Sequence, residues 1–98
     1  MTIHQTVEEK KLTVALEGRL DTTTAPELEN ELKSSLDGVT ELVINCEKLD
    51  YISSAGLRVL LSAQKTMNRQ GTMKVKNANE MILEIFEVTG FCDILTIE

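Results

Sequence analysis

The spacing of apolar residues changes several times along the chain, and each change marks an element. Residues Ile3 to Val7 suit a short strand, and Glu8-Glu9-Lys10 a polar turn. Leu12, Val14 and Leu16 then alternate with Thr13, Ala15 and Glu17, the period of a half-buried strand that Gly18 ends. Residues 2–18 therefore predict an antiparallel hairpin, although its turn has no Asn-Gly or Asp-Gly pair. Asp21-Thr22-Thr23-Thr24 reads as a loop. Thr24 and Glu27 have capping-box spacing, and Pro26 falls in a first helical turn, where its missing N–H costs little. Leu28, Leu32 and Leu36 recur at i+4 as one buried helix face, with Gly38 as the stop.

The run Glu41-Leu42-Val43-Ile44-Asn45-Cys46 is too short for a helix and suits a central strand covered on both faces. The stretch from Leu49 to Leu61 reads as a strand end, a polar turn at Ser53-Ser54, and a helix beginning at Ala55-Gly56-Leu57. In that helix Gly56, Leu57, Leu60, Leu61, Ala63 and Met67 share one side, and Arg58, Ser62, Lys65 and Arg69 the other. Gly56 falls on the buried side, where a missing side chain lets the helix approach the sheet closely. Gln70-Gly71 ends it. Met73 and Val75 alternate with Lys74 and Lys76 in a fourth strand. Asn79 is placed to cap a helix carrying Met81, Ile82, Ile85, Phe86 and Thr89, with Gly90 beyond its end and Phe91 folding back. Ile94-Leu95-Thr96-Ile97 predicts a fifth strand. The order β-β-α-β-α-β-α-β calls for an α/β fold: a mixed, mainly parallel five-stranded sheet with packed helices, in a single domain over residues 1–98.

The turn before the second helix has two readings. Serine is a preferred N-cap residue, so one hydroxyl has a structural use. A helix N-terminus also presents free N–H groups and a positive dipole end, which suit a phosphate. A serine on a surface turn there is a candidate phosphorylation switch.

Composition narrows the function classes. The 98 residues are enough for one core. No apolar run reaches the roughly 20 residues that cross a bilayer, and the first residues lack a basic stretch followed by an apolar one, so the cytoplasm is expected. The net charge of −6 argues against a nucleic acid backbone as partner and suits docking on a basic surface. Cys46 and Cys92 sit in apolar stretches without metal-ligand spacing, which predicts two buried thiols rather than a metal site or disulfide. No cofactor is called for. The phosphate-loop, dinucleotide and Gly-x-Ser-x-Gly patterns are absent, and His4 is the single histidine, expected on an edge strand. Asp21 and Asp50 read as solvated turn carboxylates, and the methionines as core filler.

Gly18-Arg19-Leu20-Asp21, Leu49-Asp50-Tyr51-Ile52-Ser53-Ser54-Ala55-Gly56-Leu57, Gln70-Gly71 and Ile85-Phe86-Glu87-Val88-Thr89-Gly90-Phe91, in this order and spacing, resemble the STAS domain family, and within it the single-domain bacterial anti-sigma factor antagonists. Gly18-Arg19-Leu20-Asp21 is similar to the family's Gly-Glu-Leu/Ile-Asp. Leu49-Asp50-Tyr51-Ile52-Ser53-Ser54-Ala55-Gly56-Leu57 is similar to its apolar lead-in and Asp-Ser-Ser/Thr-Gly-Leu turn. Gln70-Gly71 falls where the family often has a glycine, and Ile85-Phe86-Glu87-Val88-Thr89-Gly90-Phe91 is similar to Leu-Phe-x-x-Ser/Thr-Gly-Leu. Aligned on Gly56-Leu57, Ser54 takes the place of the phosphorylated serine. Ser53 stands where the family has an aspartate, and Ala55 where it has a second hydroxyl, so Ser53 is the rival acceptor.

The resemblance implies a binding module without catalytic residues. Unphosphorylated, it would bind an anti-sigma factor that is also a serine-protein kinase of the histidine-kinase-like ATPase type, and so free a sigma factor or another regulator. The kinase would modify Ser54, and a metal-dependent serine phosphatase would reset it. The implied partner surface comprises Asp21, Thr22, Ser53, Ser54, Ala55, Gly56 and Arg58, with Arg58 one turn from Ser54 and able to pair with a phosphate. Nothing in the sequence calls for an oligomer, and a monomer is expected when the protein is free. A second reading keeps the family but drops the switch, giving a STAS scaffold subunit in a larger signalling or transport assembly. A third makes Ser54 the nucleophile of an unrelated small enzyme; the lone histidine counts against it.

Overall fold

The computed structural model describes residues 1–98, with elements β1 (Thr2–Glu8), β2 (Lys11–Leu20), α1 (Ala25–Ser35), β3 (Glu41–Ile52), α2 (Ser54–Gln70), β4 (Thr72–Lys76) and α3 (Glu80–Thr89), followed by a 3₁₀ turn, Phe91–Asp93. The sheet order is β1-β2-β3-β4. β1 and β2 are antiparallel, as the hairpin pattern predicts, and β2-β3 and β3-β4 are parallel. Glu9 closes the hairpin in the left-handed region at φ 58°, the role an Asn-Gly turn would have filled.

The sheet has four strands rather than the five expected. Ile97 makes only an isolated parallel bridge to Val75, held by Val75 N–H to Thr96 O and Glu98 N–H to Val75 O, both 2.8 Å. The reason is local. The 3₁₀ turn uses Phe91–Asp93, and Ile94 stays exposed, so only a few residues reach the edge of β4.

β3 is also not covered on both faces. The strand order advances in one direction through β2, β3 and β4, and right-handed crossovers then place α1 and α2 on the same side. One core results, containing Leu12, Val14 and Leu16 of β2, Leu42, Ile44 and Cys46 of β3, and Met73 and Val75 of β4. α3 adds Ile82 and Phe86 to it. The opposite face carries the register row Thr13, Val43, Lys74, in which Val43 is buried by its neighbours alone.

β3 runs six residues beyond the predicted Cys46. Its inward positions are Leu42, Ile44 and Cys46, then Leu49, then Ile52. Each jump of three coincides with a register shift against β2, between Ala15 and Glu17 and between Gly18 and Arg19. Two bulges thus break the alternation on which strand recognition depends, and Asp50 lies within the strand rather than at its end.

In α2 the buried side contains Gly56, Leu57, Val59, Leu60, Ala63, Gln64 and Met67. Leu61 is only half-buried, and Val59 takes the inward place expected of it. A Cβ on Gly56 would sit 2.7 Å from Leu20 Cγ and 2.9 Å from Ile52 Cγ1, so the close approach expected of this glycine is present. Gly71 is tighter still, because a Cβ there would meet the Thr40 carbonyl oxygen at 1.9 Å. Cys46 is buried, but Cys92 is exposed on the 3₁₀ turn, so the expected pair of buried thiols is a single one. Met67 and Met73 are core residues, whereas Met81 is exposed.

Candidate functional site

Leu20 and Ile52 are register partners at the C-terminal ends of adjacent parallel strands. The chain leaves the sheet twice at that edge, through Asp21-Thr24 and through Ser53-Ser54. The Ser53 N–H donates to Leu20 O at 2.9 Å and ties the two turns together. This is the end of a parallel sheet where ligand and partner sites collect.

The first turn is organised by Asp21. Its Oδ1 accepts from the Thr23 hydroxyl at 2.7 Å, the Thr23 N–H at 3.0 Å and the Thr24 N–H at 3.2 Å. Thr24 Oγ1 accepts from the Asp21 N–H at 2.8 Å and donates to Arg19 O at 2.8 Å. The expected capping box is therefore not formed. The Thr24 side chain bonds back toward β2 and makes no cap hydrogen bond to α1, while Pro26 lies in the first turn as predicted. The Thr23 hydroxyl is the largest influence holding the Asp21 carboxyl below its ordinary pKa; partial burial opposes it, and the Thr24 and Thr23 amides and the Thr24 hydroxyl reinforce it.

The second turn separates the two serines. Ser53 has extended backbone and is the N-cap of α2, with Oγ accepting from the Gly56 N–H at a long 3.5 Å. Ser54 is the first helical residue, one position earlier than the expected start at Ala55. It is exposed, and its hydroxyl makes no hydrogen bond. The N–H groups of a helix's first turn have no intrahelical partner, so a free hydroxyl here sits among free donors.

The remaining candidates fall around this pair. Thr22 is exposed on the first turn, and Ala55 is half-buried. Arg58 is exposed and pairs with no carboxylate. Thr22, Pro26, Glu29, Ala55, Arg58 and Ser62 line an open groove of about 420 Å³ between α1 and α2. Gly56 is buried against Leu20 and Ile52 and presents no side chain to solvent; its part is to seat the turn. His4 lies on edge strand β1 opposite Ala15, its Nε2 3.7 Å from Glu17. Ala15 is five residues along β2 from Leu20, roughly 16 Å at about 3.3 Å per residue, so His4 is not placed to serve Ser54 as a base.

Two residues of this edge escaped the sequence reading. The Arg19 guanidinium stacks on the Tyr51 ring, 4.4 Å from its centroid, and its Nε is 3.6 Å from Asp21 Oδ2. They are cross-strand partners only because of the second bulge. The signal available in the sequence was Arg19 inside the Gly18-Asp21 stretch.

The sequence model of the STAS domain matches residues 1–98. The chain belongs to the STAS domain family. A putative anti-sigma factor antagonist, BtrV of Bordetella bronchiseptica, is 36% identical over 88 residues, covering 88% of this chain and 76% of that protein. An anti-sigma-B factor antagonist of Staphylococcus aureus is 30% identical over 97 residues, covering 97% and 90%. The fold is shared with the anti-sigma factor antagonist SpoIIAA in its unphosphorylated form, at a TM-score of 0.79 and 16% identity over 99% of this chain and 87% of that one. SpoIIAA, the Bacillus cell fate determinant, in its phosphorylated form gives a TM-score of 0.77 and 17% identity over 99% and 91%. This STAS chain is thus related to named anti-sigma factor antagonists, and no helix in it is long and apolar enough to cross a membrane.

Proposed function

We propose that residues 1–98 act as a single STAS domain and cytoplasmic anti-sigma factor antagonist, monomeric when free, whose docking is switched by phosphorylation of Ser54. The observation that carries this reading is the division of labour in the turn. Ser53 supplies the cap, and Ser54 stands beside it exposed and unbonded at the first position of α2.

Unphosphorylated, the edge formed by Asp21, Thr22, Ser53, Ser54, Ala55 and Arg58 binds an anti-sigma factor/serine-protein kinase of the histidine-kinase-like ATPase type, whose target is then released. The kinase brings ATP and Mg²⁺ and transfers the γ-phosphoryl group to Ser54 Oγ; the hydroxyl proton passes to the kinase and ADP departs. A metal-dependent serine phosphatase removes the group. The phosphate adds roughly −1.5 to −2 charges. Within the free protein the helix dipole, the first-turn amides and Arg58 accommodate it with little change of shape. At a docked interface the same charge lies beside Asp21 and must be desolvated, and electrostatic mismatches of that kind cost about 2 kcal/mol or more, roughly 30-fold in affinity.

Peptide mass spectrometry of the protein from its own cells tests this. A single phosphate on Ser54 with condition-dependent occupancy, and capture of a kinase by the unmodified form but not by Ser54→Asp, are expected. A phosphate on Ser53 moves the switch by one residue. No phosphate under any condition, with phosphatase inhibitors present, replaces the switch with a constitutive scaffold role and leaves Ser54 as a surface residue of the first turn.

A further inference from the structure

The C-terminal quarter of the chain concentrates two properties that are scarce elsewhere. From Asn77 to Glu98 there is no Lys or Arg, while Glu80, Glu84, Glu87, Asp93 and Glu98 give the segment −5 of the chain's net −6. Only Glu98 of these is paired, with Lys74 at 3.2 Å and Lys76 at 3.9 Å. The same segment holds Met81, Leu83, Val88 and Ile94, four of the five large hydrophobics the protein exposes.

Most of these residues lie on α3, with Leu83 on one flank of its buried face, Met81 and Val88 on the other, and Ile94 beyond the helix end. Ile82 and Phe86 point into the core. By the 3.6-residue period, Met81, Ile85 and Val88, at i, i+4 and i+7, form a stripe along one flank of that buried face. Glu80, Glu84 and Glu87 form the next stripe outward. Val88 is 79% exposed, and Ile85 is half-buried. An apolar stripe bordered by unpaired carboxylates is the complement of an amphipathic helix with apolar residues at the same spacing and lysines or arginines beside them. A second copy of this chain presents the same carboxylates and is repelled. We infer that the outer face of α3 is a second docking surface, separate from the Ser54 edge, for a basic amphipathic helix of a partner protein.

The test is an ¹⁵N-¹H NMR titration of the full chain with a synthetic 18-residue peptide carrying leucines at i, i+4, i+7 and i+11 flanked by lysines, and with its glutamate counterpart. Shifts confined to residues 80–94 are expected with the lysine peptide and none with the glutamate peptide. Val88→Ser should weaken binding about fivefold and Glu84→Lys/Glu87→Lys at least tenfold; both changes lie on the surface, and far-ultraviolet circular dichroism confirms the fold. Ser54→Asp should leave this titration unchanged whatever its effect on the kinase, so the two surfaces fail or stand independently. Shifts at the 53–58 turn, or spread equally over the acidic side of α1, overturn the inference, as does binding indifferent to Val88→Ser. A concentration-dependent dimer in analytical ultracentrifugation that Val88→Ser abolishes would replace the basic helix with a second copy.

Discussion

Asp21 shows how a residue at the edge of a docking surface is first a structural one. Its carboxylate closes the 21–24 turn through Thr23 and Thr24, and the Thr23 hydroxyl is the main reason its pKa is lowered. A carboxyl with a depressed folded pKa contributes stability that is complete above its unfolded value, about 3.9, and is lost as pH falls through the folded value. The deficit of Asp21→Asn relative to the native protein in urea denaturation should therefore be constant from neutral pH down to about 4. It should then disappear below the folded pKa of Asp21. In Thr23→Val, the Asp21 carboxyl followed by NMR should titrate nearer the ordinary range. The two thiols differ for a related reason. Burial pushes Cys46 up to about 12, while Cys92 is exposed. Iodoacetamide at pH 8 should place one label on the native protein, at Cys92, and a second only after unfolding, as peptide mapping will show.

At the scale of the element, α2 depends on what precedes it. Ser53→Ala removes the cap and should cost about 0.5–1 kcal/mol, the low end of the usual range because the Oγ···N distance is long. Ser54→Ala removes no bond and should stay within about 0.5 kcal/mol. Chemical denaturation midpoints of the two variants will separate cap from switch candidate without any partner present. The glycines at either end of the helix were legible to different degrees. Gly56 was readable from its place on the apolar side of α2. The tighter contact of Gly71 with Thr40 was not, since Thr40 is brought there by the sheet.

At the scale of the molecule, β3 joins everything: it pairs with β2 and β4, lies under α2, and meets α3 through Asn79 Nδ2, which donates to Leu49 O at 3.2 Å. Amide hydrogen exchange should be slowest at the central ladder of β2 and β3 around Val14 and Ile44. It should be orders of magnitude faster in β1 and at the Val75–Ile97 bridge, which have neighbours on one side only or a single contact. Slow exchange at Thr96 and Glu98, whose backbone groups face β4, would mean that a full fifth strand forms in solution.

Local periodicity and turn chemistry determined most elements from the sequence. The hairpin, three helices, the Asn79 cap, the place of Gly56 on the apolar side of its helix and the serine turn all rest on neighbours within a few residues, where sterics and hydrogen-bond geometry leave few choices. Tertiary structure decided the rest. The bulges that lengthen β3 and pair Arg19 with Tyr51 exist only between strands. The handedness of two crossovers put α1 and α2 on one face of the sheet and left Val43 on the other. The 3₁₀ turn at Phe91–Asp93 and the exposed Ile94 after it left only a single bridge to β4 where a fifth strand was expected. Which serine caps and which is free was settled by where Ile52 ends against Leu20, a matter of register between strands that no single stretch of chain contains.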